Sequence, residues 1–290
     1  MTKVLITGAT GNVGLEVIKA LEKTEHKLQV YAGVRDLVAD KLKLSNYEVN
    51  LIHFDFLNTQ SYREALRNCE ILFLLRPPQI ADTEQYFKPL VEVCKRENVK
   101  HIVFLSVQGV EKSTIIPHHK IEKLIVDSKI PYTFLRPAYF MQNFTTTLRK
   151  DLVQHKYIYL PAGKAKFTLI DVSDIAAVTA LILKEVSTHQ NKAYTLTNDE
   201  KLTFKEMAEI LTNHLGTTIQ FKSPNLLSFF LRKRKEKIPN MLILVMIMLH
   251  YLPRFQKEPE TTTWVAHFLQ RPAITFEAFV KENKSLLTMF

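Results

Sequence analysis

Through the first half of the chain, short apolar runs alternate with stretches whose apolar positions recur at helical spacing. The runs are Val4-Leu5-Ile6, LQVYAGV (28–34), EVNLIHF (48–54), EILFLL (70–75), KHIVFLS (100–106) and PYTFLR (131–136). They are rich in Val, Ile, Leu and Phe and do not alternate with polar residues, which predicts parallel strands buried on both faces. Helical patterns follow Gly14 and lie at 37–44, 59–67, 83–97 and 117–128. Strand–helix alternation of this kind predicts an α/β fold with a doubly wound parallel sheet and right-handed crossovers.

The second half is less regular. A helix is predicted over 172–185, with Asp171 or Ser173 as its cap, and a strand over 192–198. The next helix starts at Thr203, with Glu206 completing a capping box and Gly216 as the stop. A short strand, IQFKS (219–223), follows, and from Pro224 onward the pattern is mostly helical. The expected organisation is a sheet domain over 1–155, with 165–198 returning to the sheet. Residues 199–290 form a smaller, mostly helical domain that binds substrate or a partner.

The first strand ends in three glycines spaced three apart, Gly8, Gly11 and Gly14, and a helix begins there. Glycine permits positive φ and close approach by another group. The free N–H groups of a helix N-terminus favour an anion. The loop Gly8, Thr10, Gly11, Asn12, Val13 and Gly14 is therefore read as a Rossmann-type cradle for a dinucleotide pyrophosphate. A plain glycine-rich βα turn is the bland alternative. An NAD site ends its second strand in Asp or Glu, about 20 residues past the glycines, whereas Arg35 stands here. A guanidinium pairs with a 2′-phosphate, so NADP(H) is expected over NAD(H), which remains the second choice. The competing view makes Arg35 a solvated side chain and Asp36 a helix cap.

Ligands of such sheets bind at the carboxyl ends of the strands. That edge carries Asp55 and Phe56, read as clasping adenine by hydrogen bond and stacking. It also carries Arg76, for the pyrophosphate or an anionic substrate, together with Ser106 and Pro137.

The net charge of +10 fits anionic ligands, nucleic acid or acidic lipid, and a basic background accounts for it equally well. Cys69 and Cys94 form neither a redox pair nor a metal motif and read as buried free thiols of a reducing compartment. No H-E-x-x-H or paired-Cys motif predicts a metal, and no G-x-S-x-G elbow predicts a serine nucleophile. No signal peptide precedes the first strand and no apolar run reaches a bilayer span, so a cytoplasmic protein is expected. Residues 241–252 are almost wholly apolar and follow the basic run Arg232–Lys235. A buried helix is the first reading. A lid or a homodimer contact is the second. A weak membrane-surface contact through 229–252 is the third. No nucleic-acid partner is expected, since such basic runs usually form solvated faces.

Several segments together resemble the NmrA-like group of atypical short-chain dehydrogenases/reductases. They are TGATGNVG (7–14), VRD (34–36), FDF (54–56), PHHKIEKLIVDSKIPYTFLRPAYFMQNF (117–144), DVSDIAAV (171–178), YTLTNDEKLTFKEMAEIL (194–211) and QRPAITFEAFVKEN (270–283). The resemblance implies a Rossmann domain, a small C-terminal domain and a nicotinamide cofactor. Members include NADPH-dependent quinone reductases and cofactor-sensing regulators. The Tyr–Lys pair of typical short-chain dehydrogenases is absent, because none of the ten tyrosines has Lys at i+4. Aligning Glu122 with the acidic residue that follows that pair puts His118 in the Lys place and Thr114 in the Tyr place. A shifted register pairs His119 with Lys123. His118 is the candidate catalytic proton donor, with a structural role as its alternative. Tyr139 and Phe140 offer a stacking wall for substrate and Asn143 a directed hydrogen bond, although Tyr139 and Asn143 are also i,i+4 packing partners. The expected activity is NADPH-dependent reduction of a quinone-like or conjugated small molecule. The rival is a non-catalytic NADP(H) sensor acting through a protein partner.

Overall fold

The computed structural model describes residues 1–288. In chain order it runs β1 (Thr2–Ile6), α1 (Asn12–Glu22), β2 (Leu28–Val34), α2 (Leu37–Leu44), β3 (Asn50–His53), α3 (Ser61–Leu66) and β4 (Ile71–Leu75). One π-type turn, Thr83–Phe87, leads into α4 (Lys88–Arg96), followed by β5 (His101–Leu105), α5 (Pro117–Ser128) and β6 (Tyr132–Pro137). Next come β7 (Tyr139–Phe140), α6 (Arg149–His155), β8 (Tyr157–Tyr159), β9 (Lys166–Ile170), α7 (Val172–Lys184) and β10 (Lys192–Leu196). The remainder is β11 (Lys201–Thr203), α8 (Phe204–Leu215), β12 (Gln220–Lys222), α9 (Leu226–Lys235), α10 (Asn240–Tyr251), α11 (Trp264–Leu269), α12 (Phe276–Glu282) and α13 (Lys284–Thr288).

The chain forms two compact units. The first comprises Met1–Pro137, Val172–Leu196 and Trp264–Arg271. Its seven strands lie in the order β10-β6-β5-β4-β1-β2-β3, every pair parallel. The pleat sends Leu5, Leu72, Leu74 and Ile102 to a layer made by α3, α4 and α5, where Tyr62, Leu90, Cys94 and Ile125 are buried. On the opposite face α1 packs against α7, and α7 against α11. The order reverses between β1 and β4, which sets a topological switch point beside the glycine loop.

The second unit comprises Ala138–Asp171, Thr197–Thr263 and the chain from Pro272. It holds a three-stranded sheet, β11-β9-β7, a strand pair, β12-β8, and most of the later helices. Its core includes Met141, Phe144, Phe204, Phe229, Phe276 and Phe279. At α8 the capping box is complete: Thr203 Oγ1 accepts from the Glu206 N–H while the Glu206 carboxylate accepts from the Thr203 N–H. Gly216 closes the helix in the left-handed region at φ 72°.

These boundaries differ from the expected ones. Residues 138–155 belong to the second unit, because Met141, Phe144, Leu148 and Leu152 point into its core. Residues 165–171 belong there as well, through β9. Trp264–Arg271 returns to the first unit, where Trp264 and Phe268 pack on Tyr194 of β10. The segment 241–252 is not a buried helix. Ile243, Met246 and His250 are buried, whereas Met241, Leu242, Leu244, Met248, Leu249 and Leu252 are exposed.

Candidate cofactor and substrate site

The carboxyl edge of the first sheet is built around Thr7. Its Oγ1 accepts from the Leu75 N–H at 2.8 Å and donates to the Phe73 carbonyl at 3.2 Å, locking the end of β1 to β4 at the switch point. Gly8 follows in the left-handed region at φ 60°. The chain then turns so that the Gly11 N–H donates to the Gly8 carbonyl at 2.9 Å. Gly14 fits α1 against this turn, since a Cβ there would lie 2.3 Å from the Gly8 carbonyl oxygen. Gly11 is the N-cap of α1. No side chain caps this end and no acidic residue lies in its first turn. The Asn12 and Val13 N–H groups thus face outward at the positive end of an 11-residue helix. Gly33 in β2 also permits close packing, for a Cβ there would meet Phe54 Cβ at 3.1 Å and the Ile6 carbonyl at 3.2 Å. Neither Thr7 nor Gly33 was assigned a role by sequence reasoning. A glycine inside an apolar strand was the available signal for the latter.

At the end of β2 the two charged neighbours divide their work. Asp36 caps α2, its Oδ1 accepting from the Val38 and Ala39 N–H groups, both at 2.9 Å. Those backbone bonds hold its carboxyl below the usual range. Arg35 is exposed and makes no ion pair among the described residues. Asp55 is half-buried, with one carboxylate oxygen accepting from the Leu57 N–H at 2.9 Å. Phe56 does not offer a ring for adenine stacking. The ring lies in the core, edge-on to Phe54 at 4.9 Å and against Phe87 at 5.4 Å.

Arg76, just past β4, is turned into its own loop. Its Nη1 donates to the carbonyls of Pro77, Pro78 and Ile80, and its Nε–H donates to His118 Nε2 at 3.3 Å. Burial lowers its pKa to about 10, so it stays charged at neutral pH. Arg76 is thus not the free side chain expected for the pyrophosphate, since Nε and Nη1 are already engaged. At the end of β5, Ser106 is 2% exposed and its Oγ has no hydrogen-bond partner among the described residues. A buried hydroxyl without a partner is costly and calls for a ligand or water. Pro137 ends β6, its carbonyl accepting from the Gln108 N–H.

The proposed acid is placed differently from expectation. Burial first, and the Arg76 charge second, push the His118 pKa down to about 3. Since Nε2 accepts from Arg76, the ring is neutral with its proton on Nδ1. It is no proton donor in imidazolium form near neutral pH. The shifted register also has no dyad: His119 Nδ1 faces the Val110 carbonyl, and Lys123 pairs with Asp127 at 2.8 Å. Glu122 clamps Arg136 with two bonds, 3.0 and 2.7 Å, and so ties α5 to β6. We expect the kcat profile to show no inflection from His118 between pH 5 and 8. We also expect His118→Asn to change kcat less than about threefold, against the hundredfold or more that loss of a general acid costs. The folded ring resists protonation, so its contribution to stability is whole above the ordinary histidine pKa of about 6.5 and is lost as pH falls from there toward 3. His101 and His250, both held near 4 by burial, act in the same direction. A thermal melting series should show stability falling below about pH 6.5, above the carboxylate range.

In the second unit, Tyr139 stands among the rings of Phe167, Phe204 and His250. Its hydroxyl lies 3.2 Å from His250 Nε2 and also bonds the Asn143 side chain. His250 Nδ1 is 2.6 Å from the Met246 carbonyl and must donate to it. Nε2 of the neutral ring therefore accepts from Tyr139. Burial raises the Tyr139 pKa. Tyr139 and Asn143 bond each other, but from β7 and the turn after it and not from one helix face, and His250 is a further partner that spacing could not reveal. Phe140 is half-buried beside Tyr139.

Comparison with known proteins places this geometry in a lineage. Residues 1–249 match the NmrA-like family. Quinone oxidoreductase 2 of Escherichia coli (strain K12) is 27% identical over 223 residues, 76% of this chain and 77% of that protein. The NAD(P)H azoreductase of Xenophilus azovorans is 27% identical over 284 residues, 97% of each. The crystal structure of the Escherichia coli NADPH-dependent quinone oxidoreductase complexed with NADPH superposes with a TM-score of 0.85 at 23% identity, covering 96% of this chain and 99% of that one. At that identity the structural likeness establishes the fold, while the match over residues 1–249 establishes kinship: the chain belongs to the NmrA-like family.

Proposed function

We propose that the protein is an NADP(H)-dependent oxidoreductase whose acceptor is a quinone-like or other conjugated small molecule. The observation that carries this reading is the uncapped N-terminus of α1 above the Gly8–Gly14 turn, a site suited to a pyrophosphate, with no acidic residue in the first turn of the helix. Arg35, with Asp36 already engaged as a cap, supports the phosphorylated cofactor. The partnerless Ser106 Oγ supports a polar ligand at the carboxyl end of β5. When bound, NADPH supplies the hydride.

The chain's own part is to bind, orient and exclude water. The Asn12 and Val13 N–H groups would hold the pyrophosphate and Arg35 the 2′-phosphate, Asp55 would meet the adenosine, and Ser106 would offer a hydrogen bond deeper along the edge. The chain lacks a Tyr–Lys acid, and His118 is neutral and engaged. An acceptor whose reduced form is a stabilised anion suits that equipment, because positioning then carries most of the rate. The relatives named quinone oxidoreductase and azoreductase favour the same acceptor class.

The test is NADPH oxidation followed by absorbance against a panel of quinone and azo acceptors. We expect turnover with at least one acceptor and faster consumption of NADPH than of NADH. Tight NADPH binding with no consumption across the panel would overturn the oxidoreductase reading and leave a cofactor-binding protein.

A further inference from the structure

Helix α10 is apolar around its whole circumference, and such helices are normally packed on all sides. Its inner face is packed, with Ile243, Met246 and His250 buried. Its outer face is not: Leu244 is 50% and Leu249 51% exposed, and Phe255, just past the helix, is 71% exposed. Leu227 and Leu231 of α9 are exposed too. Single exposed apolar residues are ordinary, but a row of them along one helix marks an interaction surface.

Basic residues flank this row at both ends. Arg234 and Lys235 end α9, Lys237 lies between α9 and α10, and Arg254 and Lys257 lie beyond α10. All five are exposed, and none forms an ion pair among the described residues. The acid between them, Glu236, is taken up by Arg232 and Lys233, which also pair with the buried Asp151. The inward cations are thus neutralised within the unit, while the outward ones are not.

We propose that the outer face of α10 and its basic flanks seat the protein on an anionic lipid bilayer. The apolar row enters the boundary between headgroups and acyl chains, and the flanking Lys and Arg side chains lie among the lipid phosphates. The contact lies on the surface only, since among the described residues no helix is long and apolar enough to cross a membrane. A second copy fits this face poorly. A helix of this length offers a strip of about 200 Å², against about 800 Å² per partner in a stable interface. Two-fold pairing would also set like-charged flanks against each other. The inference is independent of the redox reading and stands whether or not NADPH is consumed.

The experiment is sedimentation of the full chain with vesicles of phosphatidylcholine alone or mixed with phosphatidylglycerol. We expect at least about fivefold more protein on the anionic vesicles at low salt, with most of that excess lost at high salt. Leu244→Glu with Leu249→Glu should abolish binding, and Lys235→Glu with Lys237→Glu should remove the anionic preference. Circular dichroism and melting temperature serve as fold controls, because all four positions are exposed. Equal binding to both vesicle types, no binding to either, or an unaffected leucine double variant would overturn the proposal. So would a stable dimer in solution that the leucine substitutions split.

Discussion

A Gly11→Val variant should fold and yet lose NADPH affinity by at least about a hundredfold. The backbone at Gly11 is extended, with φ −85° and ψ 171°, which any residue adopts. A Cβ there would lie 3.2 Å from the Gly8 carbonyl, so the turn need shift by only a few tenths of an ångström. Valine is a poorer N-cap than glycine, at a cost of about 1 kcal/mol or less, too little to unfold a chain with two full cores. The branched side chain instead fills the space in front of the Asn12 and Val13 N–H groups, where the pyrophosphate would sit. A hundredfold loss corresponds to about 2.7 kcal/mol, in keeping with the loss of one or two charge-assisted hydrogen bonds. Gly14→Ala should behave in the opposite way. Its Cβ would lie 2.3 Å from the Gly8 oxygen and 2.8 Å from Ala9 Cα, both backbone atoms, so α1 must move off the turn and the melting temperature must fall. Titration with NADPH and a thermal melt of both variants check this. Undiminished affinity in folded Gly11→Val would refute the phosphate cradle.

The contrast between those two glycines also shows where the sequence stops being legible. Apolar runs and glycine spacing located β1, β2, α2 and α5 and the edge on which ligands bind, because those signals are local. Strands β7, β8, β9 and β11 do not show in the apolar pattern: β7, β8 and β11 carry only two or three residues each, and all four lie outside the strand–helix alternation of the first half. Composition identified 241–252 as apolar, but it could not say that only one face would be covered. At the site the positions along the sheet edge were readable and the side-chain directions were not. Phe56 turns into the core, and the Pro77–Pro78 loop captures the Arg76 guanidinium. His118 then loses its free nitrogen to Arg76. The Tyr139–His250 bond joins residues 111 apart, beyond any spacing rule. The sequence did present the two candidates for the 2′ site, Arg35 and Asp36, and with them a choice.

On that choice rests the second strong expectation: NADPH should bind at least about tenfold more tightly than NADH, and Arg35→Ala should erase most of the gap. Arg35 directly follows β2, beyond which the 2′ substituent of the adenine ribose lies in this fold. Its guanidinium is exposed and pairs with no carboxylate among the described residues. A charge-assisted hydrogen bond to a phosphate contributes about 1.5–3 kcal/mol, or roughly ten- to a hundredfold. The natural objection is Asp36, which could accept from the 2′-hydroxyl of NADH and repel a phosphate. Its Oδ1 already receives the Val38 and Ala39 N–H groups, so turning toward a ribose would uncap α2. Those same bonds lower its pKa, which keeps it an ionised cap across the neutral range. Asp36→Asn should therefore leave the cofactor preference nearly unchanged, since asparagine caps about as well. The preference should weaken with salt, because this edge is open to solvent and the pair is screened. Titration of both cofactors at low and high salt, on the wild type and on Arg35→Ala, reads all of this directly. Equal affinity for NADPH and NADH at low salt would mean that Arg35 points away into solvent and that the 2′ pocket is formed by other groups.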